Sequence, residues 1–489
     1  MAAVPGGRRI PEAFLVGAAL GAAVLAAVAV AVAPPGLGLL LAIALALPAI
    51  AYVGWYTHPV LLLGGGIVLS VFSGNWANVG LPELVAPDRM LILGAIVATL
   101  LRAAPIRDRP HLRLRPVHWA LYLSVVYVMA SAIAAGNVDK ASLLKLADRI
   151  GAVPFALFLL APVMFTSARR RSQFLTFLVG IGLYLGITAL LETLKLEELV
   201  FPHYITNPAL GIHADRARGP FLEAVGNGTA LYIGLVASAI AFVTWTVPWH
   251  RRVAAATGAL CGLGLIFTLT RSVWLGAIVA TLVTMLFARE LRRLLLPAVV
   301  AAAVVIGAAL AVVPGLADKA RVREEQKESV WDRYNLNHAA LNMFHARPLV
   351  GFGWNTFPEV GTDYFVQGAH YPLSAGVGFG VHNEYLSNLA ELGLIGTTLW
   401  LAPFVAMIVV TATRRGPPEL RPWRLGVLAI GVFFLVVAGF VYPYAFPVLV
   451  LWTMMGALEA PGAVRRRTDD LAGGGWPSGA PSAARAYVD

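Results

Sequence analysis

The chain has 489 residues, of which 58% are hydrophobic and 13% are charged, and its formal net charge is +11. This apolar surface exceeds what a soluble core of the same length buries, so the composition excludes a soluble globular protein and predicts an integral membrane protein. The basic residues are spread over many short loops, so we interpret them as orientation signals and predict no nucleic-acid partner.

Apolar runs of about the length of a bilayer crossing recur along the chain and predict an all-α polytopic membrane protein with about 12–14 transmembrane helices. The first run, residues 14–33, is longer than a typical signal-peptide core, so we interpret it as a span. We place the spans at residues 14–33, 37–56, 60–72, 90–101, 118–135, 150–166, 174–194, 226–247, 253–269, 272–288, 294–313, 391–411, 425–441 and 444–458.

Arginine-rich short loops recur on one side of this topology, for example at residues 169–171, 251–252 and 465–467. By the positive-inside rule that side is cytoplasmic, which places residues 195–225 and the long loop on the outer side. The segments are residues 1–200 (N-terminal spans), 201–313 (spans that carry arginine segments), 314–390 (long outer loop), 391–460 (C-terminal spans) and 461–489 (a disordered cytoplasmic tail).

The long outer loop divides into two parts. Residues 318–346 are densely charged and carry apolar residues at helical spacing, which suits a helix at the membrane surface. Residues 347–381 are rich in glycine and aromatics, and we predict irregular structure packed on the protein, with a lid as one interpretation. The apolar residues of the first part are Trp331, Leu336, Ala340, Leu341 and Phe344.

A histidine stands where this loop enters the next span. In VHNEYLSNLAELGLIGTTLWL, residues 381–401, Asn383 is a predicted N-cap and Glu384 lies in the first helical turn. His382 then lies beside the positive end of the helix dipole, which keeps its imidazole neutral at neutral pH. A neutral imidazole can accept a proton. The alternative is that His382 only hydrogen-bonds a carbonyl of the loop, as histidines at membrane interfaces often do.

Arginines supply the second candidate group. Arg216 and Arg218 precede the eighth span, and Arg271 lies in a tight outer turn between two apolar runs. A guanidinium can bind phosphate through two parallel hydrogen bonds, so these arginines are candidate ligands of a phosphate group. The alternative is that they only contact lipid headgroups. The sequence has no metal-ligand spacing, so we predict that arginine takes the place of a divalent cation, with no metal and no cofactor.

Acidic residues are few in the predicted spans. Glu192, near the end of the seventh span, is the one acidic residue that we assign to the interior of a span. Carboxylates that couple protons or sodium to transport are otherwise missing, which disfavours a secondary transporter.

The order of these pieces resembles the O-antigen ligase and O-antigen polymerase superfamily. His382 and Asn383 stand at the start of its outer-loop signature. Gly393 and Gly396 follow at the family's spacing, and ARPLVGFGWNTF resembles the segment before it. The stretches RGPF, GNGTALY and TLTRSVWLG resemble its arginine segments, so the similarity is ordered over about residues 200–460.

The resemblance implies an inverting, metal-independent C-type glycosyltransferase in the bacterial inner membrane, with its active site facing the periplasm. Its donor would be a glycan on undecaprenyl pyrophosphate, and its acceptor a hydroxyl of lipid A-core or another glycan. Arg218 and Arg271 would bind the pyrophosphate, with Arg216 as a weaker candidate, and His382 would remove the acceptor proton. The weaker supporting candidates are Asn383 and Glu384.

Two alternatives stay open beside this ligase-like function. A polymerase that joins lipid-linked repeat units would use the same histidine and arginines. A transporter or binding protein for lipid-linked glycans would need no general base, so it would not depend on His382. Thr270 also stands where the family commonly has serine, and residues 358–381 are long and aromatic, so the acceptor is not determined.

Overall fold

The computed structural model describes residues 57–80, 86–103, 114–139, 145–288, 328–370, 380–413, 416–441 and 444–459, with scattered positions between 292 and 308. These ranges contain helices, turns and loops and no strand, which confirms the all-α class. Several predictions lie outside the described residues: the spans at 14–33 and 37–56, most of the span at 294–313, residues 371–379 of the long loop, and the tail at 461–489.

Each predicted span within the described ranges coincides with a helix. Six helical segments there are long and apolar enough to cross a membrane, which agrees with a multi-pass protein. The helices are α1 Pro59–Leu69, α2 Pro87–Ala103, α3 Pro116–Ala134, α4 Ala152–Met164, α5 Ala168–Thr193, α6 Ala224–Thr244, α7 Pro248–Phe267, α8 Arg271–Phe287, α9 Glu328–Ala346, α10 Phe357–Val360, α11 Glu384–Thr413, α12 Arg421–Ala438 and α13 Ala445–Ala457.

Helix α6 lies at the centre of the bundle, between α5, α7 and α12. Where α5 and α6 cross, a Cβ on Gly234 would lie only 2.7 Å from the Cα of Gly182, so the two backbones touch. Small residues permit this close approach of helices in a membrane. The tight crossing fixes the ends of α5 and α6 relative to each other, and the loop between these ends carries Arg216 and Arg218.

Helix α9 confirms the helix predicted in the charged part of the long loop, but its apolar face packs against the protein. Its buried residues join Val381, Ala390 and Phe357 in one apolar cluster. Leu341, predicted to belong to the same apolar stripe, is exposed. The predicted stripe therefore divides between two faces, of which one packs against the start of α11. The buried face of α9 consists of Leu336, Ala339, Ala340 and Met343.

Helix α11 is broken in its N-terminal part. Gly393 has φ 64° and ψ −169°, a backbone conformation essentially restricted to glycine. The next two N–H groups donate to the carbonyls of Pro348 and Leu349, at 2.8 and 3.1 Å. In return Phe352 and Gly353 donate to α11 carbonyls before the break, at 3.1 and 2.7 Å. The loop therefore replaces the helical hydrogen bonds that the break removes.

A buried carboxylate fastens the same loop. The side chain of Glu391 accepts hydrogen bonds from the backbone N–H groups of Asn355 and Phe357, at 2.9 and 3.0 Å. Our expectation that Glu192 is the one acidic residue inside a span is therefore wrong, because Glu391 lies inside α11 and is 5% exposed. Both carboxylates accept hydrogen bonds from loop backbone, since Glu192 binds the N–H of Gly219 at 3.1 Å.

Candidate active site

Arg218 is buried, with 1% of its surface exposed. Its Nε and Nη2 both donate to the carbonyl of Ile205, at 3.1 and 2.8 Å. Further bonds reach the carbonyls of Asn207 and Leu210, at 2.6 and 2.5 Å. Because a guanidinium has five N–H groups, four of them are occupied by the loop at residues 203–210. Arg218 therefore holds this loop in place.

The backbone around Arg218 is fixed from the opposite side by Glu192. Its carboxylate accepts the N–H groups of Arg218 and Gly219, at 3.2 and 3.1 Å. Burial lowers the pKa of the Arg218 guanidinium, and the carboxylates of Glu192 and Asp215 oppose that shift. This paired environment compensates for the burial of a charge that would otherwise be costly.

Arg216 connects this segment to the turn between α7 and α8. Its Nη1 donates to the hydroxyl of Thr270 at 3.4 Å, and the adjacent Ala217 N–H donates to the carbonyl of Phe267 at 3.2 Å. The threonine hydroxyl therefore takes part in the junction of the two loops. The Nε of Arg216 is buried and has no hydrogen-bond partner within the part of the chain that the structure describes.

Arg271 is the first residue of α8, and its side chain is exposed. Helix α9 brings a second guanidinium close to it, that of the partly buried Arg333. The pKa of Arg333 is lowered, first by burial and then by Arg271, while Glu223 opposes the shift. These three side chains thus come from the N-terminal parts of α6, α8 and α9.

His382 lies in the turn that begins α11. Asn383 is its N-cap as predicted, because the side-chain oxygen accepts the N–H groups of Tyr385 and Leu386 at 3.1 and 3.2 Å. Glu384 is buried and accepts a hydrogen bond from Asn388 at 3.3 Å.

The imidazole of His382 is partly buried, and its pKa lies below its ordinary value. Burial is the largest cause, the positive charge of Arg333 adds to it, and the carboxylate of Asp332 opposes it. The ring is therefore neutral at neutral pH, the state that can accept a proton.

These residues form what we call the outer cluster, a name taken from the predicted outer loop to which α9 belongs. The structure brings the predicted residues Arg216, Arg271 and His382 to this region, whereas the Arg218 side chain is bonded to the loop at residues 203–210. The contributions of α9 were not predicted, since its charged stretch was interpreted as a helix at the membrane surface. The members of the outer cluster are Arg216, Glu223, Arg271, Asp332, Arg333 and His382. Within the described ranges, no group of three or more His, Cys, Asp or Glu residues could hold a metal ion.

The fold and the outer cluster define an all-helical, multi-pass membrane protein with a cationic site and a neutral histidine at one end of its helices. Residues 256–401 match the sequence model of the O-antigen ligase family. This match confirms the resemblance to the O-antigen ligase superfamily and supports a membrane glycosyltransferase of the ligase or polymerase type. It includes Arg271, Arg333 and His382. No curated protein matches the chain.

Proposed function

We propose that the protein transfers a glycan from undecaprenyl pyrophosphate to an acceptor hydroxyl, as an O-antigen ligase-like enzyme on the periplasmic face of a bacterial inner membrane. The observation that carries this proposal is the neutral imidazole of His382 beside the guanidinium groups of the outer cluster. Glycosyl transfer from a pyrophosphate needs a base for the acceptor and a cationic site for the leaving group. The family match supports the same reaction class.

The proposed reaction is a single displacement with inversion. The acceptor oxygen attacks the anomeric carbon from the face opposite the pyrophosphate. As the new bond forms, the bond from the anomeric carbon to the phosphate oxygen breaks, and its electron pair leaves with the pyrophosphate. His382 takes the proton of the acceptor hydroxyl as the oxygen attacks, so no free alkoxide has to form beforehand. No metal enters the proposed reaction.

We assign the binding of the pyrophosphate leaving group to the arginines. Arg271 presents an exposed guanidinium at the first turn of α8, where the helix dipole also favours an anion. Arg216 adds a guanidinium whose Nε has no protein partner within the described residues. Arg218 remains a predicted donor-binding residue. Its contacts support a further role, in which it fixes the loop that leads to Arg216.

Asn383 and Glu384 are proposed to act by stabilising the first turn of α11. Asn383 caps α11, and the capped turn fixes the direction in which His382 leaves the helix. Glu384 is bonded to Asn388 one turn further on and stabilises the same turn.

The acceptor decides between a ligase and a polymerase, so we propose lipid A-core as the acceptor and test it directly. Purified protein in EDTA is given undecaprenyl-pyrophosphate glycan with either lipid A-core or more donor. One glycan block added to lipid A-core is expected. A ladder built on the donor lipid would instead establish a polymerase.

The control for the chemistry is a pair of histidine variants. His382→Ala is expected to lower transfer by about 10²–10⁴-fold, the usual contribution of a general base, with donor binding retained. His370→Ala removes an exposed histidine from the same outer loop and is expected to transfer like the unsubstituted protein. Equal transfer by His382→Ala would exclude this mechanism, and donor binding without any product would favour a binding protein or transporter.

A further inference from the structure

The loop before the break in α11 has an exposed apolar tip. Leu349 and Val350 are 60% and 55% exposed, although they lie in the predicted outer loop. Leu394 and Ile395, on α11 just after the break, are exposed as well. Their N–H groups donate to the carbonyls of Pro348 and Leu349, so the two exposed pairs belong to neighbouring backbone segments. Neighbouring exposed apolar residues of this kind indicate an interaction surface.

The exposed surface continues along α11. This helix is among the described segments that are long and apolar enough to cross a membrane. After the break, exposed residues recur every three or four positions and form one stripe, which is typical of the lipid-facing side of a span. The members of this stripe are Leu394, Thr398, Ala402, Val405 and Val409. The lipid-facing surface of α11 therefore extends onto the tip of the loop.

The backbone carbonyls of the tip all have partners within the protein. A carbonyl in hydrocarbon cannot bond to water, so it needs such a partner. Pro348 in addition has no N–H group to satisfy. The carbonyls of residues 347–350 accept hydrogen bonds, in this order, from Gly351, Leu394, Ile395 and the hydroxyl of Tyr127, at 3.1, 2.8, 3.1 and 3.4 Å. These carbonyls therefore suit a lipid environment.

We propose that Leu349 and Val350 insert into the membrane leaflet on the side of the long loop, where they contact the acyl chains of its lipids together with Leu394 and Ile395. The inference goes beyond the proposed function and does not rest on it. Arg347 comes just before the tip, and its exposed guanidinium lies 4.5 Å from the ring centre of Phe352. A charged side chain next to an inserted tip lies at the level of the lipid headgroups.

The inserted tip anchors the long loop in the membrane. Helix α9 was predicted to lie at the membrane surface, but its buried face packs against the start of α11. Phe352 and Gly353, which follow the tip, donate to α11 carbonyls before the break, at 3.1 and 2.7 Å. The depth of the tip therefore sets the depth of the turns of α11 that lead to His382.

The test measures how deep the tip lies. Leu349→Cys and Val350→Cys are each made in the full chain with Cys261→Ser, since Cys261 is its single cysteine. The new cysteine carries a nitroxide label, and the protein is placed in lipid nanodiscs of phosphatidylethanolamine and phosphatidylglycerol. Relaxation of the label is measured with oxygen, which concentrates in hydrocarbon, and with a water-soluble nickel chelate. We expect the ratio of oxygen to nickel accessibility at both positions to be severalfold higher than at a water-facing control.

Two further valines supply matched controls. Val409, which is 52% exposed on the stripe of α11, is the lipid-facing control. Val366, which is 63% exposed in the long loop beside the exposed Gln367, is the water-facing control. Val350→Cys and Val366→Cys thus compare one residue type at similar exposure in one loop. The ratio at Arg347→Cys is expected to fall between these two, at the level of the headgroups.

A ratio at Val350 equal to that at Val366 would overturn the inference, because the tip would then face water. Labels that neither reagent reaches, and that couple magnetically between two copies of the chain, would show a protein contact and would overturn it as well. If Leu349→Cys does not fold, Val350→Cys decides alone. The measurement uses neither donor nor acceptor, so its result is separate from the success or failure of the proposed transfer reaction.

Discussion

Arg218 and Arg271 approach the same end of the helix bundle, but their surroundings differ. Arg218 is 1% exposed and donates four hydrogen bonds to backbone carbonyls. Arg271 is exposed at the start of a helix and lies near a second guanidinium, that of Arg333. The difference shows that the carbonyl groups within reach, more than the residue type, decide whether an arginine supports the fold or is available to a ligand.

The largest expected effect is loss of stability when Arg218 is replaced. Arg218→Met leaves the buried carbonyls of Ile205, Asn207 and Leu210 without their donor, at about 1–3 kcal/mol each. We expect the free energy of unfolding to fall by about 3 kcal/mol or more, measured by thermal unfolding in detergent.

Arg251→Met is the control for that substitution. Arg251 is exposed and also donates to a backbone carbonyl, that of Phe242 at 3.0 Å. We expect its replacement to change stability by no more than about 0.5 kcal/mol. If Arg218→Met unfolds like the unsubstituted protein but transfers no glycan, Arg218 and Arg271 do not differ in role. Both would then be direct ligands of the donor.

The opposite pattern is expected at Arg271. Arg271→Met removes a cation from the proposed leaving-group site, and we expect transfer to fall by about 10²–10³-fold. Its exposed side chain contributes little to the fold, so the unfolding free energy should stay within about 0.5 kcal/mol of the original. Transfer and melting are measured on one preparation. A large loss of stability would show that the two arginines do not differ in role.

Gly393 tests the rigidity of the region that carries His382. A Cβ at this position would lie 2.4 Å from the backbone carbon and oxygen of Leu349, and its φ of 64° is unfavourable for alanine. Gly393→Ala is expected to destabilise the protein by about 1–3 kcal/mol and to lower transfer. Gly180→Ala, in the helical α5 with open space around it, is the control and should be neutral or slightly stabilising. Equal melting of the two variants would contradict this role of the break.

The smallest expected effect concerns pH. The pKa of His382 lies below its ordinary value of 6.5, so the neutral base is present at pH 7 and above. Transfer should fall only as the pH drops below about 6.5 and through the lowered pKa. The unfolded chain binds this proton more readily than the folded one, so stability also decreases with falling pH in that window. Rates measured from pH 5 to 8 check the prediction, and an acidic limb above pH 7 would contradict it.

Much of the fold follows from local patterns. Uncharged runs predicted helices α1 to α8 and α11 to α13, because a transmembrane helix satisfies its backbone within one segment. The N-cap at Asn383 was also predictable, since a cap needs only its own side chain and the next N–H groups.

Features that depend on distant residues could not be predicted. The break at Gly393 is stabilised by backbone groups of residues 348–353, and the contacts of Arg218 depend on the path of residues 203–210. Arg333 lies 49 positions before His382, and only the packing of α9 on α11 reveals their proximity. The charged and apolar pattern of this stretch indicated a helix at the membrane surface, and it did not show that one face lies against α11.

The break at Gly393 has a mechanical consequence. It divides α11 into two pieces, and residues 348–353 hydrogen-bond to both of them. Tyr385, in the piece that follows His382, also donates to the carbonyl of Leu435 on α12 at 2.6 Å. We expect these bonds to hold the two pieces at a fixed angle, so that a change in the tilt of the longer piece moves His382 with it. Membrane thickness would then reach the proposed catalytic base through the helix.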